Sequence, residues 1–311
     1  MPWYLGIDEN GLGPQLGPLI VTAVLARVSE DAERALATDP RVFLHERLDD
    51  SKKLVDHRHV ALGEAWARVL GDASDGEPPG LLVERLVLEG MEVLQTPCPR
   101  SSKPQCWSAA GETFAAGTDK LAQARQDLAR LRRLGIDALW TRCSVTCVKR
   151  IHDGYGKGLG RLDLDLHAME ALIVAARRRA GDDIVARCGK VGGLMRYTPK
   201  FSVLSGHLPV MLEEQPAESA YRVAGIGRVH FLRDAEERDP LVSLASLVGK
   251  WMREVLMGRI VRYYQRLDAN LPDASGYNDP VTHRFVRETA SLRRSLGIVD
   301  SCFLRPIAAK K

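Results

Sequence analysis

The stretch Gly6-Ile7-Asp8-Glu9-Asn10-Gly11-Leu12-Gly13-Pro14 leaves a chain few ways to fold around it. Two short apolar runs rich in β-branched residues flank it, at residues 5–7 and 19–25, and both read as strands. Between them lie two adjacent carboxylates, three glycines and two prolines. Side chains alternate faces along a strand, so Asp8 and Glu9 converge only where the strand ends and the backbone curls. Gly11 and Gly13 permit that curl, and the missing Cβ atoms let backbone N–H groups approach an anion such as a phosphate. Two carboxylates beside an exposed glycine loop suit a divalent cation that bridges protein and phosphate. The competing reading is a tight hairpin with a solvated Asp-Glu pair.

A chain of 311 residues has room for one large domain or two ordinary ones. With 45% hydrophobic and 27% charged residues, the composition is that of a soluble globular protein with a sizeable core. No apolar run reaches the roughly 18 residues that span a bilayer, and no basic stretch followed by an apolar core opens the chain. Neither a membrane span nor a secretory signal is therefore expected. Six irregularly spaced cysteines point to reduced thiols in the cytoplasm rather than a disulfide framework. Cys98, Cys106, Cys143 and Cys147 could supply four thiolates to zinc, but their spacing is not that of a ribbon or finger, and unrelated thiols are the preferred reading. A net charge of +4 is compatible with nucleic acid without arguing for it, so any binding footprint has to be local.

Along the chain, Asp49, Asp50 and Ser51 cap a helix expected over 52–70. Lys52 and Lys53 fall in its first turn, where the helix dipole disfavours cations unless an anion is near. Residues 81–88 read as a strand, and 119–134 as a basic amphipathic helix stopped by Gly135. Asp163 or Asp165 opens a helix running to residue 180, and a strand follows over 184–188. Residues 203–213 and 221–233 read as further strands. Asp239 caps a long helix that starts at Pro240 and reaches about residue 267, and Asp279-Pro280 starts a C-terminal one. The alternation of strands and helices is that of an α/β fold.

Asp8-Glu9-x-Gly-x-Gly-Pro-x-x-Gly-Pro resembles the opening motif of the type 2 ribonuclease H family, the ribonucleases HII and HIII. Asp50-Ser51-Lys52-Lys53-Leu54 is similar to the family's Asp-Ser-Lys-Lys-Leu. Leu162-Asp163-Leu164-Asp165-Leu166-His167-Ala168-Met169 resembles the segment that opens a family helix. Leu244-Ala245-Ser246-Leu247-Val248-Gly249-Lys250 resembles the family's Ala-Ala-Ser-x-x-x-Lys helix. With these motifs in one order, the chain looks like a divergent member. The resemblance implies an RNase H-like mixed β-sheet flanked by helices over residues 1–267. Residues 73–150 would be an inserted elaboration of it, and 268–311 a C-terminal helical extension. It also implies a monomeric two-metal phosphodiesterase that uses Mg²⁺ or Mn²⁺ to cleave RNA in RNA/DNA hybrids. Asp8, Glu9 and Asp234 are the implied catalytic residues and metal ligands, with Glu236 a further ligand. Gly11, Leu12, Gly13, Ser51, Lys52, Lys53 and Tyr277 are the implied contacts to nucleic acid.

The chain departs from the family pattern at three places. The third family carboxylate falls where Cys188-Gly189 stands, and a thiolate is a poor ligand for hard magnesium. Asp182, Asp183, Glu214 and Glu218 are the candidates to replace it. For the fourth acid, Asp234 is favoured over Glu236 and Glu237, although Glu236 sits nearer the ungapped distance from Lys250. The family's Gly-Arg-Gly, linked to the ribose 2′-hydroxyl, is here Gly11-Leu12-Gly13, and leucine supplies no hydrogen bond. Gly276-Tyr277 resembles a family Gly-Tyr whose ring packs on a sugar. Two other readings stay open: a nucleic-acid-binding protein with weak or no hydrolysis, and a nuclease selective for DNA junctions or structured RNA.

Overall fold

The computed structural model describes residues 1–311 apart from 46, 49–53, 56, 58, 75, 101–102, 109–110 and 307–311. In chain order the elements are β1 Trp3–Asn10, β2 Leu19–Val28, α1 Glu30–Thr38, α2 Ala61–Leu70, α3 Pro79–Leu86 and α4 Met91–Gln95. There follow α5 Thr118–Arg133, β3 Ile136–Thr146, α6 Val148–Gly156, α7 Arg161–Ala180 and β4 Ile184–Gly189. The last are β5 Val210–Glu214, β6 Glu218–Val223, β7 Gly227–Leu232, α8 Pro240–Gln265, α9 Pro280–Glu288 and α10 Ala290–Ser295.

The strands form one sheet in the order β3-β2-β1-β4-β7-β6-β5. β2 runs antiparallel to both β1 and β3, β4 lies parallel to β1 and to β7, and β6 and β5 return antiparallel. The mixed sheet with flanking helices that the resemblance implied is the architecture the chain adopts. β1 is an interior strand, between β2 and β4, and is covered on both faces. Tyr4 faces a core built with Ile20, Val24 and the α8 residues Leu241, Leu244 and Leu247. Leu5 and Ile7 face the other core, with Leu166, Met169 and Leu172 of α7.

α8 lies almost directly on the β1 backbone. A Cβ added at Gly6 would stand 2.3 Å from the Leu241 carbonyl carbon and 2.4 Å from Val242 N. One added at Gly249 would stand 2.7 Å from both Asn10 Nδ2 and Thr22 Oγ1. The start of α8 is fixed as the sequence suggests. Asp239 caps it, accepting from Leu241 N at 2.8 Å and Val242 N at 3.3 Å, and Pro240 occupies the first turn, where no N–H is needed.

Several sequence expectations change. Residues 81–88 are not a strand but lie mostly in α3, where Pro79 opens the helix and Leu82, Val83 and Leu86 form its buried side. The single helix expected over 52–70 is interrupted: Leu54 is helical, Val55 and Val60 are not, and α2 starts at Ala61. Of the strand expected over 203–213, Leu204–His207 is a 3-10 turn and only Val210–Glu214 is extended. Strand β3 was not foreseen, because Arg142 and Trp140 obscure the alternation of buried Thr141, Cys143 and Val145. The segment 221–233 is a hairpin, β6 and β7, turned at Gly225 with φ +70°. Since β3 pairs along β2, residues 73–150 supply an edge strand of the main sheet as well as helices. Among the described residues no helix is long and apolar enough to cross a membrane.

The seating of α8 on β1 predicts that Gly6→Ala destabilises the protein by about 1–3 kcal/mol or more, the cost of overpacking against rigid backbone. Gly13→Ala, with nothing within 4 Å of the added atom, should shift stability little. Urea unfolding of the two variants checks this; equal midpoints would contradict the contact.

Candidate metal centre

β1 does not curl where its carboxylates stand. Its pairing with β2 continues through Asp8 opposite Thr22, Glu9 opposite Val21 and Asn10 opposite Ile20. The expected curl is therefore corrected: the strand stays regular through Asn10, so Asp8 and Glu9 leave it on opposite faces, and both nevertheless reach the cleft at its end. Asp8 is buried on the α8 side, where the Ser246 hydroxyl donates to it. Asn10 Nδ2 in turn donates to the Ser246 carbonyl at 3.2 Å.

On the α7 side stands Asp165, a residue the sequence reading placed only at a helix start. It is 0% exposed, and among the described residues neither carboxylate oxygen has a hydrogen-bond partner. Burial first, then the charges of Glu9 and Asp8, raise its pKa well above the usual carboxylate range. The same crowding acts on Asp8. Burial first, then Glu236, and more weakly Glu9, hold its pKa well above normal, against the hydrogen bond from Ser246. A buried carboxylate with no donor either keeps its proton or needs a cation.

Asp8, Glu9, Gly189, Lys190, Asp234 and Glu236 line a cleft of about 400 Å³. Glu236, not Asp234, is the charge that raises Asp8 most. Asp234 lines the cleft farther out; its side chain is 60% exposed, its backbone is left-handed at φ +53°, and Arg233 Nε lies 3.6 Å from its carboxylate.

The β1–β4 register pairs Ile7 with Cys188, so Cys188 shares the face of Ile7 and is buried in the α7 core. Gly189 stands beside Asp8: a Cβ there would be 2.8 Å from Asp8 Oδ1. The expected substitutes do not reach this place. Asp182 and Asp183 are exposed just before β4, at the end of that strand opposite Gly189. Glu214 accepts from the Tyr221 hydroxyl at 2.6 Å, and Glu218 pairs with His230 at 2.7 Å. Asp165 is the acid that approaches instead. Its signal was legible in the sequence, because an aspartate at 165 falls on the same helical stripe as buried Met169, Leu172 and Ala176.

Among the described residues no group of three or more His, Cys, Asp or Glu side chains is already drawn together to hold an ion. The donor set nevertheless suits a hard divalent cation: carboxylate oxygens only, with both Asp165 oxygens lacking any other partner among the described residues.

The loop after β1 turns at Gly11, φ +92°, and Gly17, φ +77°. Its carbonyls are held by buried Arg305 and half-buried Arg161. Arg305 donates from Nε to Gly17 O at 2.7 Å and from Nη1 to Gly11 O, and Arg161 Nη1 reaches Leu12 O at 3.3 Å. Burial, with Arg253 and Arg161 nearby, lowers the Arg305 pKa to about 9. The loop also docks on the segment carrying Tyr277, since Gln15 N and Leu16 N donate to Gly276 O at 2.9 and 3.1 Å. Tyr277 is 45% exposed, and the Arg253 guanidinium lies over its ring at 4.3 Å. Gly13 is exposed at the tip of the loop, with Leu12 half-buried beside it. The sequence reading did not anticipate these arginines. Ser51, Lys52 and Lys53 lie outside the described residues.

No protein-family model matches the chain, and no curated protein is similar to it in sequence. Among solved structures, it is similar to ribonuclease HII of Archaeoglobus fulgidus, from a complex with PCNA, at 16% identity and a TM-score of 0.38 over 99% of this chain and 96% of that one. Ribonuclease H2 of Pyrococcus horikoshii is similar at 15% identity and a TM-score of 0.41, over 97% and 92% of the two chains. A point mutant of Bst-RNase HIII is similar at 13% identity and a TM-score of 0.47, over 98% of this chain and 66% of that one. At TM-scores this low, nothing about the site follows from these likenesses.

The crowded acids predict a pH signature. Because the folded protein raises the Asp8 and Asp165 pKa values above their unfolded ones, their contribution to stability is fully present only below the ordinary aspartate value of about 3.9. It is lost as pH rises through the raised folded values. Metal-free protein should therefore lose Tm from mildly acidic to mildly basic pH, and Asp165→Asn should lose less and melt higher at the basic end. Differential scanning fluorimetry across that range checks it; parallel curves for the two proteins would contradict it.

Proposed function

We propose that the protein is a divalent-metal-dependent nuclease that cuts RNA in an RNA/DNA hybrid at the C-terminal end of β1. The observation that carries the proposal is Asp165, a fully buried carboxylate with no hydrogen-bond partner among the described residues, set beside the Asp8-Glu9 pair. A buried acid without a partner, kept behind a cleft lined by Asp8, Glu9 and Glu236, suits a cation more readily than packing. Asp8, Glu9, Asp165 and Glu236 would hold Mg²⁺ or Mn²⁺. When bound, such an ion supplies an activated water and charge stabilisation at the scissile phosphate.

The chain's own groups have complementary tasks. Ser246, by donating to Asp8, keeps its oxygens oriented toward the cleft side of β1. The loop around exposed Gly13, backed by Arg161 and Arg305, offers a positive surface to a phosphate backbone. Tyr277, braced by Arg253, offers a ring face to a sugar or base at the loop's edge. The ordered motifs of the sequence favour ribonuclease H chemistry over other phosphodiester hydrolysis. Asp234, on the outer part of the cleft, would serve the second ion or the approaching strand. One observation favours a second reading, a nucleic-acid-binding protein with weak hydrolysis: the position beside Asp8 is occupied by Gly189, which has no ligand to offer.

Cleavage of a uniformly labelled hybrid, with Mg²⁺ and with Mn²⁺, tests the proposal. Mn²⁺ should support the faster reaction, because it tolerates an incomplete oxygen set better than Mg²⁺ does. Asp8→Asn should slow cleavage by roughly a hundredfold or more, since losing metal stabilisation costs several kcal/mol. Gly189→Asp should raise the rate in Mg²⁺, because it puts a carboxylate against Asp8. Binding of the hybrid without cleavage in either metal would give the second reading the case. For the lysines of the Asp-Ser-Lys-Lys motif, replacing Lys52 and Lys53 by alanine should flatten the salt dependence of hybrid binding by about one log–log unit per lost phosphate contact. An unchanged slope would remove them from the interface.

A further inference from the structure

Six free cysteines are distributed unevenly through the fold. Cys188 and Cys143 are single, buried sheet residues, the latter at 3.3 Å from Thr22 Oγ1. The other four, Cys98, Cys106, Cys147 and Cys302, line one cavity of about 30 Å³. They come from three separate parts of the chain: the proline-rich segment before α5, the N-cap of α6, and the turn Asp300–Cys302 near the C-terminus. We propose that this cavity is a structural zinc site in which Cys98, Cys106, Cys147 and Cys302 close on one Zn²⁺ as a tetrahedral tetrathiolate.

Three features point that way. First, the segments are already tied together around the cavity without the thiols. Gln105 Nε2 donates to the Cys302 carbonyl at 2.7 Å, Gln105 Oε1 accepts from the Tyr264 hydroxyl at 2.7 Å, and His152 Nε2 is 2.7 Å from the Leu304 carbonyl. Second, the thiols are near enough to feel one another: Cys147, Cys98 and Cys302 all oppose ionisation of Cys106, after burial, which is the larger cause. A cluster of like charges in an apolar pocket is favourable only around a cation. Third, donors suited to bound sulfur anions are in place. Backbone N–H groups of Lys149 and Arg150, at the start of α6, face Cys147, and the buried Trp107 side chain is directed at Cys98. Lys103 at the rim offsets part of the net negative charge of a tetrathiolate, while Lys149 beside it is paired with Asp153.

Four sulfur ligands and no oxygen select zinc or an iron–sulfur centre over magnesium or calcium, and a cavity this small takes a single ion. The four side chains are not preassembled at ligand distances, so binding would be coupled to ordering of the segments that carry them. The consequence reaches the glycine loop. Arg305, which follows Cys302 closely, is the residue that holds Gly11 and Gly17. Zinc would therefore fasten the C-terminal segment under the loop. This site is independent of the proposed nuclease activity.

The test uses the whole protein, purified under reducing conditions. Metal analysis should find one zinc per chain. Cobalt added to zinc-free protein should give thiolate-to-cobalt charge-transfer bands and intense tetrahedral d–d bands, which carboxylate sites do not produce. Cys106→Ser and Cys302→Ser should lose the stoichiometric zinc, and Cys143→Ala should keep it. If a serine variant fails to fold, the cobalt spectrum of the native chain decides. Absence of tetrathiolate cobalt bands, equal zinc loss in Cys143→Ala, or recovery of the four cysteines as disulfides with no zinc would each overturn the proposal.

Discussion

The contact on which the rest depends is that between α8 and β1. A helix packs this close to a strand only where side chains are absent, and Gly6 and Gly249 are the absences. That approach places Ser246 against Asp8 and leaves the other face of β1 to α7. One regular strand between two helices thus sends its two acids out on opposite faces, and both reach the cleft at its end. The site is built by burial on both sides, not by a flexible loop folding over a ligand.

Charge is sorted along the same strand end. Glu236 and Glu9 oppose the ionisation of Asp8, and Glu9 and Asp8 that of Asp165. Arg161, Arg253 and Arg305 gather beneath the glycine loop, where Glu254 pairs with Arg253 and burial, with the other two arginines, lowers Arg305 to about 9. Local electrostatics, and not the small net charge, would then set any affinity for nucleic acid.

Much of this was legible in the residues. Asp239-Pro240 announced the start of α8, and the apolar run at 19–25 announced β2, because capping and burial there obey local rules. The burial of the third acid was legible too, but its meeting with β1 was not, because it comes from another element. Asp165 was hidden as a helix opener, although its place on the apolar stripe marked it as buried. Likewise, the spacing of Cys98, Cys106, Cys143 and Cys147 favoured unrelated thiols, whereas the fold turns Cys143 into the sheet and brings Cys302, from the far end of the chain, to one cavity with the other three. The expected curl at Asp8 and Glu9 is absent because hydrogen-bonded pairing continues to Asn10, one residue past Glu9, and the chain turns only at Gly11. Long-range pairing decides such cases, and periodicity within a window does not contain it.

The central claim is that the acids at the end of β1 are a divalent-metal site that includes Asp165. Isothermal titration of Mn²⁺ into the native protein, Asp8→Asn and Asp165→Asn tests it most directly. The account predicts saturable binding in the native protein, weakened at least about tenfold, or roughly 1.4 kcal/mol, in both variants. No binding in the native protein, or equal binding in all three, would contradict it.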